Sequence, residues 1–222
     1  MAYVVWAASR ACALARPHAA ARFHSHHRIP QMSDPTYLKD LKKWGAEDPT
    51  VDDLEALESE LYAGSDRGAA VIFSSVVEKS LGKLLRDAMR PDGIGNLFEF
   101  DGTLGTFGAK IQFAYALQLI GPITRHDLTI IRSLRNQFAH SRRPIEFETP
   151  VVAAACKHLS LPDQLGVFLS YRMLQAVPED RLLAASDKNH PRTRFFTAGN
   201  EIAQRIYFIR TGDKNDPLNQ LP

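Results

Sequence analysis

The sequence has few cysteines, and the two that occur, Cys12 and Cys156, stand far apart. A disulfide-stabilised secreted domain needs more cysteines than this, and a structural zinc site needs them in closely spaced pairs. The pattern therefore argues against both classes of protein. We expect a reducing compartment, the cytoplasm, and a chain that needs neither cofactor nor metal.

Long apolar runs are also absent. Charged residues or glycines interrupt each apolar stretch before it reaches the roughly 18 to 20 residues that are needed to cross a bilayer. We therefore expect no membrane-spanning segment and no membrane partner.

A strong excess of positive charge is missing as well, because the 222 residues carry a net charge of only +2. The four arginines at positions 10, 16, 22 and 28 lie in a first segment without acids, so residues 32–222 carry a net charge of −2. A domain that binds duplex DNA directly usually presents a strongly basic face. Direct binding to duplex DNA is therefore not expected.

Residues 1–31 differ from the rest in being rich in alanine, arginine and histidine. This composition is typical of an organelle transit peptide. Alternatively, the translation start is placed too far upstream and Met32 is the true first residue. In either case we expect residues 1–31 to be a disordered leader or a misassigned start, outside a single domain that spans residues 32–222.

Helical periodicity dominates the remaining sequence, where apolar residues recur at steps of three and four between prolines, glycines and capping residues. No segment shows a convincing strand period, and we expect residues 145–148 to form an extended loop. The sequence therefore predicts an all-α, single-domain bundle of about six to seven helices. The predicted helices cover about residues 35–44, 51–63, 66–90, 107–120, 124–140, 162–176 and 193–210.

Three local patterns refine this prediction. The apolar stripe from Ala70 to Ala88 predicts that the third helix lies in the core. Thr124, with Asp127 three residues later, is a variant of the capping box that starts a helix. The glycines at positions 102, 105 and 108 lack the order and the preceding strand of a phosphate-binding loop, so we expect them to allow close packing of a turn on a helix.

The centre of the chain resembles the mannitol operon repressor (MltR) family. The resemblance rests on NLFEFDGTLGTFGAKI at residues 96–111, AYAL at 114–117, IG at 120–121, DL at 127–128, IR at 131–132 and RNQFAHS at 135–141. Together with the preceding helix it covers about residues 60–160. It implies an all-helical protein that regulates transcription of sugar uptake without its own DNA-binding domain, and therefore acts through a protein partner, with a homodimer as a further possibility.

The run from Arg135 to His140 also resembles the motif of HEPN ribonucleases, in which an arginine, a polar residue and a histidine lie near the end of a helix. This second resemblance implies a metal-independent endoribonuclease or toxin. His140 would then act as general acid or base at the RNA 2′-hydroxyl and the leaving oxygen, Arg135 would stabilise charge on the phosphoryl group, and Asn136 would orient the phosphate.

Helical geometry separates the members of this motif. Arg135 falls inside the arc of apolar residues that faces the core, about 140° from His140 around the helix axis. One straight helix therefore cannot aim both side chains at one phosphate, so catalysis needs a dimer or an unwound last turn near Ala139. In the alternative structural interpretation, Arg135 is buried and pairs with an acid such as Glu78.

A polar edge of the same helix gives a candidate surface for a partner. Arg132, Asn136 and His140 follow one another at steps of four, and Arg142 and Arg143 come directly after the helix. These five residues are our candidates for binding an acidic protein or RNA, with a solvated helix end as the alternative. Binding to a protein partner is the leading hypothesis, and ribonuclease activity is the alternative.

Overall fold

The computed structural model describes residues 36–46, 51–165 and 187–211, and within these ranges it contains eight α-helices and no strand. The prediction of an all-α bundle is confirmed, with one helix, at residues 150–157, more than predicted. The prediction for residues 1–31 and most of the predicted helix at 162–176 lie outside the described residues. The helices are α1 Thr36–Ala46, α2 Val51–Ala63, α3 Asp66–Asp87, α4 Phe107–Ala116, α5 Pro122–His140, α6 Pro150–Lys157, α7 Leu161–Leu165 and α8 Pro191–Thr211, with a short 3-10 helix at Pro91–Gly93.

Residue contacts group the chain into two units, residues 1–48 and residues 49–222. Helix α1 is the described part of the first unit. Its Tyr37, Leu41 and Trp44 are spaced by four and three residues and are exposed. The second unit contains α2 to α8 and all the buried apolar side chains found in the described residues.

Helix α3 begins and packs as the sequence predicts, but it ends early. The Ser65 hydroxyl caps the helix by accepting a hydrogen bond from the Gly68 N–H at 3.1 Å. The apolar stripe is buried from Ala70 to Leu84, whereas Ala88 is the C-cap residue and is exposed, so its placement in the stripe was wrong. The helix ends before Pro91, because Arg90 adopts the extended conformation that a following proline favours.

Helix α8 lies at the centre of the second unit. Residues 193–199 are all buried, which covers nearly two full turns, and the helix packs against α3, α5, α6 and α7. Contact with α3 is close because Gly199 has no side chain, and a Cβ atom there would lie 2.5 Å from Cε1 of Phe73. The sequence predicts this helix at 193–210, and the prediction is confirmed.

The loop between α5 and α6 contributes to the core. Residues 145–148 form no strand, as predicted, yet Phe147 is fully buried and its ring lies 4.9 Å from that of Phe138 and 5.1 Å from that of Phe195. The backbone N–H of Phe147 donates a hydrogen bond to Oδ2 of Asp66 at 2.8 Å. Arg192 of α8 is paired with the other oxygen of Asp66, so this carboxylate joins α3, the loop and α8.

The predicted capping box at Thr124 and Asp127 is wrong. Helix α5 begins at Pro122 with Gly121 as the N-cap, and both predicted residues lie inside the helix and are fully buried. The Asp127 carboxylate instead accepts hydrogen bonds from the N–H groups of Ser160, at 2.9 and 3.0 Å, and Leu161, at 2.9 Å. It thereby stabilises the N-terminus of α7, and not that of its own helix.

Helix α4 follows the glycine-containing loop as predicted. The Thr106 hydroxyl caps the helix by accepting from the Ala109 N–H at 3.2 Å. Cβ atoms at Gly102 and Gly105 would collide with carbonyl oxygens of the preceding turn, and one at Gly108 would lie 3.1 Å from Nε of Arg132. The prediction that these glycines allow close packing is confirmed.

Candidate partner-binding surface at the end of helix α5

Helix α5 carries the candidate site residues up to His140, and Arg142 and Arg143 follow directly after it. It starts with proline at the first helical position, which suits an N-terminus because that N–H needs no partner within the helix. Leu128, Ile131, Leu134 and Phe138 are buried, as the apolar arc predicts. The helix continues without a break to His140, and the N–H of Ser141 still donates to the carbonyl of Gln137 at 2.9 Å.

Arg135 is partly buried but does not form the predicted pair. Its Nη1 donates a hydrogen bond to Oδ1 of Asn136 at 3.1 Å. Glu78 instead accepts a hydrogen bond from Nζ of Lys110, on α4, at 2.6 Å, and in the described residues no ion pair joins Arg135 to Glu78. The pairing with Glu78 was wrong: Lys110 of α4 supplies the cation at Glu78, and the Arg135 guanidinium is bonded to Asn136.

Among the residues that the structure describes, the buried arginine is Arg194, on α8. Its guanidinium group donates to the carbonyl oxygens of Cys156 at 3.0 Å, Lys157 at 3.3 Å and Leu159 at 2.5 Å, which lie at the end of α6 and just after it. It also pairs with Asp163 at 2.6 Å. The hydrogen bond to Arg194 holds the pKa of the Asp163 carboxyl below its usual range.

The thiol of Cys156 lies in the same region and is fully buried. Burial raises its pKa to about 12, and the nearby positive charge of Arg194 lowers the pKa only in part. A thiolate is the reactive form of cysteine. Cys156 therefore remains a protonated core residue and is not a candidate nucleophile.

Arg135 and His140 are not brought together within one chain. His140 is the last residue of α5 and is exposed, whereas Arg135 lies five residues earlier and its guanidinium is held by Asn136. Because the helix is continuous, no unwound turn redirects His140 toward Arg135. The ribonuclease hypothesis therefore depends on a second copy of the chain, and it stays a prediction.

The segment after α5 is held in a fixed position by Arg67, in the first turn of α3. Its guanidinium donates to the carbonyl oxygens of Ser141 at 3.0 Å and Arg143 at 2.9 Å. The N–H of Arg143 also donates to the Ser141 hydroxyl at 3.2 Å. The side chains of Arg142 and Arg143 are exposed on this fixed backbone.

Sequence analysis did not single out Arg67. Its position in the sequence indicates a contact outside the helix, because a cation in the first turn interacts unfavourably with the helix dipole, and a second interaction must offset that cost. The contacts with the end of α5 supply that interaction. We call the group of His140, Arg142, Arg143 and Arg67 the basic end of α5.

The five candidate partner residues differ in exposure. Arg132 lies against Gly108 of α4, and eight residues separate it from His140, about 12 Å along the helix axis. Asn136 is partly buried and holds Arg135. The exposed part of the candidate surface therefore consists of His140, Arg142 and Arg143, close in sequence to the exposed acids Glu146 and Glu148.

Neither a metal site nor a membrane span is found among the described residues. No group of histidine, cysteine, aspartate and glutamate side chains there has the arrangement of a metal site. None of the described helices is long and apolar enough to cross a membrane.

Comparison with known proteins gives a fold relationship and no family. No protein family and no curated protein matches the sequence. Among solved structures, a chain of the "X-ray structure of the MtlR-HPr complex from Escherichia coli" aligns with a TM-score of 0.50 and 17% sequence identity. The alignment covers 68% of this chain and 96% of that chain. At this level of identity, the likeness shows that the two chains share a helical fold.

Proposed function

We propose that the chain is a regulatory protein of sugar uptake that has no DNA-binding domain of its own and acts by binding another protein. The observation that carries the proposal is the fold likeness, which spans 96% of a chain from a complex between MtlR and HPr. The resemblance of residues 96–141 to the mannitol operon repressor family supports the same function from the sequence side. The net charge of −2 on residues 32–222 agrees with regulation through a partner.

The basic end of α5 is the surface that we assign to the partner. Arg142 and Arg143 are exposed, and the contacts of Arg67 fix the backbone that carries them. A fixed backbone reduces the entropy that is lost when a partner binds. Exposed cations at the rim of an interface attract an acidic partner and help to choose it.

HPr of Escherichia coli is the defined probe for this proposal. We expect the purified chain to bind HPr in isothermal titration calorimetry, and the double variant Arg142→Glu/Arg143→Glu to bind at least about tenfold more weakly, which is about 1.4 kcal/mol. Lys79→Glu/Arg90→Glu is the matched control, since it changes the net charge equally at exposed positions elsewhere. We expect the control to bind like the unchanged chain.

Three results would contradict the proposal. Absence of binding to HPr removes the assigned class of partner, and equal weakening by both double variants shows that the basic end of α5 has no special role. Sequence-specific binding of duplex DNA by the pure protein contradicts the indirect mode of regulation. Cleavage of RNA in the presence of a chelator, abolished by His140→Ala, would favour the ribonuclease with Arg135 and His140 instead.

A further inference from the structure

The outward face of α4 carries no charge. The helix packs against α3 and α5 and buries Phe107, Ile111 and Ala114 on its inner side. On the opposite side the side chains of Phe113 and Leu117 are 41% and 46% exposed. At 100° per residue, the outward arc consists of five uncharged residues, namely Ala109, Gln112, Phe113, Ala116 and Leu117.

This composition is unusual for the solvent side of a surface helix, which normally carries charged and polar residues. The single charged residue of α4 is Lys110, and it is turned toward α3, where its Nζ lies 2.6 Å from Oε1 of Glu78. The exposed ridge of Phe113 and Leu117 is therefore left apolar. Exposed apolar patches of this kind mark sites of interaction with other macromolecules.

Cations border the ridge on both sides. On the α5 side, the Arg125 guanidinium lies 4.4 Å from the centre of the Tyr115 ring and donates to Oε1 of Gln112 at 3.3 Å. Arg132 lies over Gly108, which is one helical turn closer than Gln112 to the start of α4. On the α3 side, the Arg86 guanidinium lies 4.0 Å from the centre of the Phe98 ring, and a Cβ atom at Gly82 would meet both Nη1 of Arg86, at 3.4 Å, and Cε of Lys110 on α4, at 3.8 Å.

Among the described residues, these three arginines have no acidic partner. In the part of the chain that the structure describes, no ion pair involves Arg86, Arg125 or Arg132. Stacking on aromatic rings and packing on glycine hold their guanidinium groups near α4 while leaving their charge uncompensated. The exposed acids nearest in sequence to α4, Glu99 and Asp101, lie in the loop before its N-terminus.

We propose that the outward face of α4 binds an acidic amphipathic helix of another protein. The apolar side of that helix would cover Phe113 and Leu117, and carboxylates on its edges would pair with the bordering arginines. An amphipathic helix that lays its apolar side on an apolar surface of its partner is a common mode of recognition. A second copy of this chain would add the same set of arginines to the interface and no carboxylates to pair with them, which costs energy.

The probe is a synthetic helical peptide with leucines on one face and glutamates on the other, labelled for fluorescence polarisation. A peptide with lysines in place of the glutamates has the same apolar face and the opposite charge. We expect the full chain to bind the glutamate peptide at least about tenfold more tightly than the lysine peptide. Salt weakens this preference, because exposed charges are screened.

Two variants of the chain test the surface itself. Phe113→Gln/Leu117→Gln removes the apolar ridge at exposed positions, and Arg125→Ala/Arg132→Ala removes the border on the α5 side. We expect each to weaken binding of the glutamate peptide by at least about tenfold. Val151→Gln, which also replaces an exposed apolar residue on a helix, is the control and keeps the affinity. Circular dichroism checks that every variant retains its helices.

The proposal is overturned if neither peptide binds, if the lysine peptide binds equally well, or if Phe113→Gln/Leu117→Gln keeps the affinity. It is also overturned if the chain is a dimer in analytical ultracentrifugation and this double variant is a monomer, because a second copy then covers the ridge. The result is independent of the HPr experiment, which tests the basic end of α5 and not α4.

Discussion

At the scale of single residues, the arginine that is buried in the described part of the chain is not the one that the sequence pattern predicts. The sequence pattern places Arg135 in an apolar arc of α5 and so predicts that it is buried and paired. In the structure Arg135 is only partly buried, whereas Arg194 has only 4% of its surface exposed. The partners of Arg194 are carbonyl groups more than thirty residues away in sequence, and no local pattern could have identified them.

Replacement of Arg194 by methionine should destabilise the protein strongly. Methionine fills a similar volume, but it leaves the Leu159 carbonyl buried without its donor, while the Cys156 carbonyl keeps only the Leu159 N–H at 3.2 Å. The loss of a donor to a buried carbonyl costs about 1 to 3 kcal/mol. We expect a decrease of about 2 kcal/mol or more in the free energy of unfolding, measured by urea denaturation.

The ion pair is removed alone by Asp163→Asn. Because the Asp163 side chain is 63% exposed, solvent screens its attraction to Arg194, and we expect a loss below about 1 kcal/mol. Arg90→Met, at an exposed position, controls for the change from arginine to methionine. If Asp163→Asn costs as much as Arg194→Met, the ion pair and not the carbonyl contacts makes Arg194 important.

At the scale of secondary-structure elements, capping residues and apolar periodicity allowed most helices to be predicted. Ser65 and Thr106 cap α3 and α4, and both belong to the residue types that are favoured at an N-cap. Helix α6 was missed because its sequence PVVAAACK is short and has little periodicity, although Thr149 followed by Pro150 is a start signal. The Asp127 carboxylate was assigned to the wrong helix, because its donors lie at Ser160 and Leu161.

Close packing between α3 and α8 gives a prediction at this scale. Gly199→Ala would place a Cβ atom 2.5 Å from Cε1 of Phe73 and 3.2 Å from Cγ2 of Val77. The Phe73 ring has little room to move, because the centre of the Phe196 ring lies 4.7 Å away. We expect a loss of about 1 to 3 kcal/mol in the free energy of unfolding, measured by urea denaturation.

Gly93→Ala is the matched control for this substitution. A Cβ atom at Gly93 would meet nothing within 4 Å, so the same chemical change occurs there without a clash. We expect it to leave the stability unchanged or slightly raised. Equal stability of the two variants would show that α3 and α8 are not as close as described.

At the scale of the whole molecule, the sequence predicted the fold class but could not assemble the candidate site. Periodicity identifies which face of a helix is buried, and it therefore placed Leu128 and Phe138 correctly. It does not tell which helices are neighbours, so the contact of Arg67 with the end of α5 and that of Arg132 with α4 were not predicted.

Removal of residues 1–31 should leave the stability of the rest unchanged. The buried apolar residues of the described part run from Leu61 to Ile206, and they belong to the unit of residues 49–222. We expect a chain that starts at Met32 to have a melting temperature within about 2 °C of that of the full chain, measured by differential scanning calorimetry. A larger decrease would mean that the first segment packs on the core.

The central position of α8 has a consequence for how the protein is made. A nascent chain leaves the ribosome from its N-terminus, so α2 to α6 emerge before the helix around which they close. Until Phe195, Ala198 and Ile202 have emerged, the apolar surfaces of α3 and α5 that pack against α8 stay uncovered, although α3, α4 and α5 can already contact one another. Folding of this unit is therefore completed only after α8 has left the ribosome.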